Sequence, residues 1–293
     1  MNVAAPSTVT SSEGALDAPK LGQRDFDTLA QLIESHAGIR MPPTKRTMVE
    51  GRLRRRLRQH GMTSYAEYCR FLFKDGGLDE ELSHLIDAIT TNKTEFFREP
   101  KHFDFLVSHT LPDMLSRNIG THRPMNFWSA GSSIGAEAYT LAMILSDQQV
   151  VYPDFRFHIL GTDVCTTVLQ TARKAIYPEE MAEPIPHDMR RRYLMRSRNR
   201  QAATIRMAPE VRVLTDFRQL NFMDEAYKLR ERQDVVFCRN VIIYFDNVVR
   251  TAVLSRICEC IAPGGYLFMG HSETITGIRL PLRQVAPTVH IRT

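Results

Sequence analysis

Cysteine is scarce and tryptophan nearly absent: the 293 residues hold five of the former and one of the latter. Cys69, Cys165, Cys238, Cys258 and Cys260 show no CxxC spacing and no neighbouring histidine pair, which argues against a zinc site, and their odd number argues against a disulfide framework. They read as reduced structural thiols of a cytoplasmic protein. No run of about 18 apolar residues exists, so no membrane-spanning helix is expected. The opening MNVAAPSTVTSSEGALDAPK lacks the charged and apolar segments of a secretory leader. Without aromatic residues or periodicity, residues 1–20 read as a disordered tail. The rest is ordinary for a folded chain, with 43% hydrophobic and 24% charged residues, enough for one large or two smaller cores. A net charge of +5 and a pI of about 9.0 hint at an acidic partner.

Residues 21–89 read as an all-α N-terminal domain. FDTLAQLIESHAGI, TKRTMVEGRLRRRLRQHGM, SYAEYCRFLF and DEELSHLIDAITTN carry apolar residues at helical spacing. Pro42-Pro43 separates the first two, Gly38 and Gly61 act as C-terminal breakers, and Thr44 and Thr63 or Ser64 are candidate N-caps. Residues 90–124, with TEFFREPKHFDFLVSHTLPDML, read as a linker with a helix. From 125 to 293 short apolar strands alternate with helices: MNFWSAG, AEAYTLAMILSD, FRFHILGTD and TTVLQTARKAIY, then QDVVFCRNVIIYF, NVVRTAVLSRICECI, YLFMGHS and TVHIRT. This alternation predicts an α/β domain with a parallel sheet and helices on both faces. Residues from about 178 to 218 do not fit a simple crossover and are expected to form a small antiparallel β insertion.

In an open parallel sheet, ligands bind at the carboxyl ends of the strands near the switch point. The first strand runs into Ala130-Gly131-Ser132-Ser133-Ile134-Gly135-Ala136-Glu137. Small residues there admit a ligand close to the backbone, and the helix N-terminus adds partial positive charge. The second strand ends at Gly161-Thr162-Asp163, where an acidic side chain roughly 20–30 residues beyond such a turn is placed to accept both ribose hydroxyls of a nucleoside. Later strand ends contribute Asn221 and Arg239-Asn240 as a site rim. Each feature alone is equally a tight turn. Nicotinamide enzymes use the same device, so spacing leaves the cofactor open.

TTNKTEFFREPKHF, FWSAGSSIGAEAYTLA, GTDV, FCRNVIIYFD and GGYLFMGHSE resemble, in order and spacing, the signature segments of the CheR family of chemotaxis receptor methyltransferases, over nearly all the chain from about Asp25. The resemblance implies a helical N-terminal domain, a Rossmann-like methyltransferase domain and an inserted antiparallel β-subdomain. It implies methyl transfer from S-adenosylmethionine, leaving S-adenosylhomocysteine, to glutamate side chains on the cytoplasmic helices of methyl-accepting chemotaxis receptors. Neither a metal nor nucleic acid nor membrane insertion is expected, and the working unit is expected to be a monomer. Carried over by position, the family's cofactor contacts fall on Asn92, Thr94, Arg98, Glu137, Asp163, Asn221, Phe222, Asn240 and Val241, beside Gly131 of the first loop. Arg98 and Tyr244 resemble the pair beside the transferred methyl. One loop departs from the family: Ile134-Gly135-Ala136-Glu137-Ala138 stands where a Thr-Gly-Glu-Glu-Pro run is usual, losing a hydroxyl, a carboxylate and a proline while keeping Glu137.

The chemistry so implied is undemanding in proton transfer. A glutamate with a pKa of about 4.3 is already ionised near neutral pH, so attack on a sulfonium methyl needs no general base. Positioning at a near-attack distance of about 3–3.5 Å and exclusion of water carry the catalysis. The helix KRTMVEGRLRRRLRQHG places Val49, Leu53 and Leu57 on one stripe and Arg52, Arg54, Arg55 and Arg58 on the opposite face, a positive surface suited to steering a glutamate-rich helix. A solvated arginine face needs no partner at all. Three other readings compete. A nucleic-acid methyltransferase would carry an Asp/Asn-Pro-Pro-aromatic motif where Arg239-Asn240-Val241-Ile242 stands. A receptor-docking module would bind the cofactor poorly and turn over little. A nicotinamide oxidoreductase would need a catalytic histidine or lysine at the site.

Overall fold

The computed structural model describes residues 20–293, so the tail expected over 1–20 lies, Lys20 apart, outside the described residues. Four helices come first: α1 (Gln23–Ala37), α2 (Arg46–Gln59), α3 (Tyr65–Phe73) and α4 (Leu78–Ile89). Helix α1 stops at Gly38, which takes φ +70° and returns its N–H to Glu34 O. A side chain there would also meet Met223 Sδ at 2.7 Å, so glycine lets α1 end against the second domain. Ser64 opens α3 in a capping box with Glu67. Thr44 is not a cap, because Pro43 starts a 3₁₀ turn over Pro43–Lys45 that runs directly into α2. Val49, Leu53 and Leu57 are buried as their spacing predicts, against Phe26, Leu29, Ile33, Leu85 and Ile89.

The helical core also holds a buried charge. Glu81 is 2% exposed and takes hydrogen bonds from Tyr68 Oη at 2.7 Å and Arg56 Nε at 2.6 Å, with His60 Nε2 at 3.1 Å. A carboxylate out of water is tolerated only when its lone pairs are occupied in this way.

Two short helices follow, α5 (Pro100–Phe105) and α6 (Leu111–Ser116), joined by a wider π turn over Leu106–Thr110. Pro112 explains the widening, since it lacks an N–H and its ring would strike the carbonyl one turn back in a regular α-helix.

The remaining chain forms β1 (Met125–Ala130), α7 (Ala136–Val151), β2 (Phe157–Asp163), α8 (Thr166–Lys174), β3 (Ile176–Pro178), α9 (His187–Tyr193), β4 (Leu194–Arg196), β5 (Thr204–Met207), α10 (Pro209–Arg212), β6 (Thr215–Gln219), β7 (Gln233–Cys238), α11 (Asn247–Cys260), β8 (Ile261–Met269), β9 (Leu282–Ala286) and β10 (Val289–Arg292). Seven strands make one sheet in the order β6-β2-β1-β7-β8-β10-β9. Five are parallel, and β10 and β9 add an antiparallel hairpin at one edge. The chain leaves β1 for β2 on one side and returns to β7 on the other, so the switch point lies at the ends of β1 and β7.

A separate three-stranded antiparallel sheet, β3-β5-β4, confirms an inserted β unit over residues 176–207. The expected insertion reached 218 and therefore took in most of β6, which instead pairs in parallel with β2 through Ile159↔Thr215 to Asp163↔Gln219. The alternating pattern of TDFRQ suits an edge strand of either sheet. Strand β9 is not marked in the sequence: it is a partly exposed edge between prolines and lacks the apolar run of the central strands.

The helical domain sits over the carboxyl ends of the strands. Arg40 N–H donates to Tyr244 O at 2.9 Å, Asn221 Nδ2 donates to His36 O at 2.6 Å, and Asp87 of α4 receives four hydrogen bonds from the start of α8. Replacing Glu81 with Ala is expected to remove about 3 kcal/mol or more, seen as a lower thermal midpoint, because Arg56 is left half-buried without its partner. The effect depends on pH. Burial pushes the Glu81 carboxyl up, but hydrogen bonds from Arg56, Tyr68 and His60 outweigh it and hold the group below its usual range. Its stabilisation is therefore complete above the unfolded value of about 4.3 and disappears as pH falls through the lower folded value. An unchanged midpoint in E81A between pH 6 and 8 would contradict this.

Candidate active site

Asn92, Thr94, Arg98, Gly131, Glu137, Asp163, Asn221, Phe222, Asn240, Val241 and Tyr244 line one cleft at the ends of β1, β2 and β7. The three stretches 92–98, 130–137 and 161–163 thus face a common space. Ala37, Ile39, Met41, Lys45 and Met48 of the helical domain form the opposite wall. No pattern in the sequence marks them for this, because their role exists only once the two domains dock.

The first loop bends back at Gly131, φ +82°, and Gly131 and Ser132 both donate to Thr162 O at 2.8 Å. A side chain on Gly131 would lie 2.4 Å from Val241 Cγ2, so glycine allows the β1 and β7 loops to meet. The loop's departures from the family pattern point away from the cleft: Ala136 and Ala138 are wholly buried, and Ile134 packs on the main core. Only Glu137 of that run reaches the cleft.

Asp163 is 9% exposed. Ser133 N–H donates to its Oδ2 at 2.8 Å and Cys165 N–H to its Oδ1 at 3.0 Å. Burial pushes this carboxyl up, and the hydrogen bonds from Cys165 and Ser133 oppose the rise. Ser133, at φ +50°, also donates its hydroxyl to Asn92 O at 3.0 Å, binding the linker to the first loop.

Across the cleft, Glu137 accepts from Ser129 Oγ at 2.6 Å and from Arg239 Nε at 2.6 Å. Arg239 is 7% exposed, lies over the rings of Phe103 and Phe237, and donates to Arg98 O at 2.9 Å. Glu99, His102 and His271 offer three ligand atoms within 4.8 Å of one another. The Arg239 guanidinium stands among them, 3.0 Å from His102 Nδ1 and 3.5 Å from Glu99 Oε2, and already supplies the positive charge there. Burial and Arg239 push His102 down to about 4, so it is neutral at pH 7.

The turn after β7 carries Asn240 at φ +60°. Its shape is held by Glu273, 6% exposed, which accepts the N–H groups of Asn240, Val241, Ile242 and Gly270 at 2.7–2.9 Å. Such a turn of amides is an anion nest, here filled by the chain's own carboxylate. Glu273 was visible only as the last letter of GGYLFMGHSE. Phe97 and Glu99, which flank the cleft residue Arg98, both take left-handed backbone at φ +57°.

One expected role changes. Arg52, expected on the solvent face, is half-buried, and its guanidinium donates to Ile89 O, Thr90 O and Thr91 Oγ1. It caps α4 and fixes the linker, because carbonyls at a helix end attract the nearest guanidinium. Asn221 lines the cleft while donating one Nδ2 hydrogen to His36 O and accepting Met223 N–H at Oδ1. Arg54, Arg55 and Arg58 are exposed.

A parallel sheet with a terminal antiparallel hairpin, a small-residue turn after its first strand and a buried aspartate after its second define a Rossmann-like α/β domain with its cleft at the strand ends, and its match to a SAM binding domain makes the chain an S-adenosylmethionine-dependent methyltransferase. The chain belongs to the CheR methyltransferase family: residues 92–291 match its "CheR methyltransferase, SAM binding domain" and residues 24–90 its "CheR methyltransferase, all-alpha domain". It is 35% identical over 268 residues to chemotaxis protein methyltransferase 2 of Pseudomonas aeruginosa, covering 92% of each chain. It is 36% identical over 256 residues to the chemotaxis protein methyltransferase of Escherichia coli, covering 87% of this chain and 86% of that one. Among solved structures it is similar to the glycopeptide N-methyltransferase MtfA complexed with sinefungin, at 16% identity and a TM-score of 0.33 over 63% of this chain and 57% of that one, a likeness too loose to carry weight.

Replacing Glu273 with Ala strands buried amide donors and is expected to destabilise by about 2–3 kcal/mol, or a fall of roughly 4–12 °C in thermal midpoint. Calorimetric scanning of E273A checks it, and a shift under a degree would show that the 240–242 turn holds without its carboxylate.

Proposed function

We propose that this protein transfers a methyl group from S-adenosylmethionine to glutamate side-chain carboxylates of chemotaxis-type receptors, forming 5-O-methyl esters in sensory adaptation. The observation that carries this reading is the meeting of Asp163, Glu137, Arg98 and Tyr244 in one cleft roofed by the helical domain, in a chain of this family. The cleft fits the cofactor's chemistry: Asp163 offers lone pairs to ribose hydroxyls, Glu137 offers an anionic counterpart to an ammonium group, and Ile39, Met41, Met48 and Phe222 supply apolar lining. When bound there, S-adenosylmethionine supplies a methyl group on a cationic sulfur.

The chain's own work is to place a carboxylate and keep water off it. Arg98, half-buried, donates one guanidinium N–H to Lys93 O and directs its remaining donors at the incoming carboxylate. Tyr244 donates to one carboxylate oxygen and leaves the other free to attack. Asn92, Thr94, Asn240 and Val241 complete the cofactor's surroundings. No proton has to move, since the nucleophile arrives ionised. Methionine side chains on the helical wall remove water that would hold the anion in its ground state.

The division of labour follows: residues 21–89 meet the receptor, 90–124 link, and 125–293 carry the chemistry, with the β unit over 176–207. Arg54, Arg55 and Arg58 steer the acidic receptor helix. The protein acts in the cytoplasm as a monomer, without a metal and without nucleic acid.

Incubation with labelled S-adenosylmethionine and receptor-containing membranes is expected to label receptor protein with a product that mild base releases. Base-stable label would mean N-methylation, and bound cofactor without any transfer would leave only a docking module. Arg98→Ala is expected to lower kcat by roughly 10²-fold, as for loss of one oriented donor. Reversing Arg55 and Arg58 to Glu together should weaken receptor methylation at least tenfold while cofactor affinity changes less than twofold. Equal losses in both measurements would remove the steering role.

A further inference from the structure

Asp87 lies outside the cleft, yet it closes a circuit of hydrogen bonds that runs through it. Its Oδ1 accepts Thr166 N–H at 3.0 Å, and its Oδ2 accepts Thr166 Oγ1, Thr167 N–H and Thr167 Oγ1 at 3.0, 3.0 and 2.6 Å. Helix α8 has no side-chain cap of its own, so an anion from the helical domain serves its positive end. The residue just before α8, Cys165, donates its N–H to Asp163 Oδ1. Asp163 Oδ2 is held by Ser133 N–H, and Ser133 Oγ donates to Asn92 O. Asn92 Nδ2 donates to Thr90 Oγ1, and that hydroxyl donates to Asp87 O at 3.2 Å.

We propose that Asp87 is a positioning residue for cofactor binding: by clasping Thr166 and Thr167 from the opposite domain it sets the direction in which the Asp163 carboxylate faces the cleft. This rests on the reading of Asp163 as the ribose acceptor. The geometry favours it over a purely structural clasp for two reasons. Each Asp163 oxygen accepts one backbone N–H, so its free lone pairs are aimed by Ser133 and Cys165, and Cys165 is fixed from Asp87 through Thr166. Asn92 joins the circuit through the Asp87 main-chain carbonyl, so one residue reaches the second strand's loop with its carboxylate and the start of the linker with its backbone. The Thr hydroxyls and the α8 terminus hold the Asp87 carboxylate in place.

The experiment is calorimetric titration of the full chain with S-adenosylhomocysteine, which needs no receptor, together with thermal midpoints and steady-state kinetics. Asp87→Ala should raise Kd on the order of tenfold or more, the scale at which outer partners of a ligating group act. In turnover it should raise KM for S-adenosylmethionine and leave kcat at saturation within about twofold, unlike Arg98→Ala. Asp87→Asn keeps the shape and part of the hydrogen bonding and should recover much of the affinity; it replaces Asp87→Ala in every comparison if the latter does not fold. Combined with Ser133→Ala, which opens the same circuit, the loss should be clearly less than the product of the two single effects. Wild-type affinity in a folded Asp87 variant overturns the inference, as does a fall in kcat with unchanged KM. Failure of the wild-type chain to bind the nucleoside would instead sink the reading of Asp163 itself.

Discussion

A carboxylate almost wholly out of water is unstable unless donors replace its hydration, and Asp163 has two backbone N–H groups for this purpose. Those donors exist because the chain on either side is bent into unusual shapes. Ser133 adopts a left-handed backbone, Gly131 allows the first loop to touch Val241, and Cys165 presents its N–H at the threshold of α8. What remains of the Asp163 lone pairs faces the cleft. The fold thereby fixes this carboxyl group: it is desolvated and held by its donors, so the cost of ordering it falls on folding.

The same principle recurs on the other wall. Glu137 is matched by Arg239, and Glu273 by four amides. Arg239 joins the two sides, since one guanidinium holds both Glu137 and the carbonyl of Arg98. Arg98 is thus fixed at its backbone, while its guanidinium lines the cleft and donates to Lys93 O.

Strand ends are legible in the sequence where they obey local rules: apolar runs that stop abruptly at Asp163 or Asn240 mark the carboxyl edge of a parallel sheet. The helical half was legible for a similar reason, with Val49, Leu53 and Leu57 recurring on one stripe. The residues that escaped notice act at a distance along the chain. Lys45, Met41 and Met48 become cleft residues only when α1 and α2 settle on Tyr244 and Phe245. Arg52 looked like its exposed neighbours because periodicity assigns a face to a side chain but cannot see the carbonyls of Ile89 and Thr90, nearly 40 residues away, that capture it. Strand β6 was misplaced because alternation identifies a strand without saying which sheet it joins.

Helix α2 shows how one element can serve the cleft and the surface together. Val49, Leu53 and Leu57 anchor it, Met48 and the adjoining Lys45 face the cleft, and Arg52 and Arg56 turn inward to the end of α4 and to Glu81. That leaves Arg54, Arg55 and Arg58 outward. Because the inward arginines are committed to fixed partners, the outward ones project from a rigid helix, and their positive field keeps a constant position relative to Arg98 and Tyr244. A long-range field attracts an acidic helix in many orientations. Only a field locked to the geometry of the cleft can favour the orientations that bring a carboxylate to its mouth.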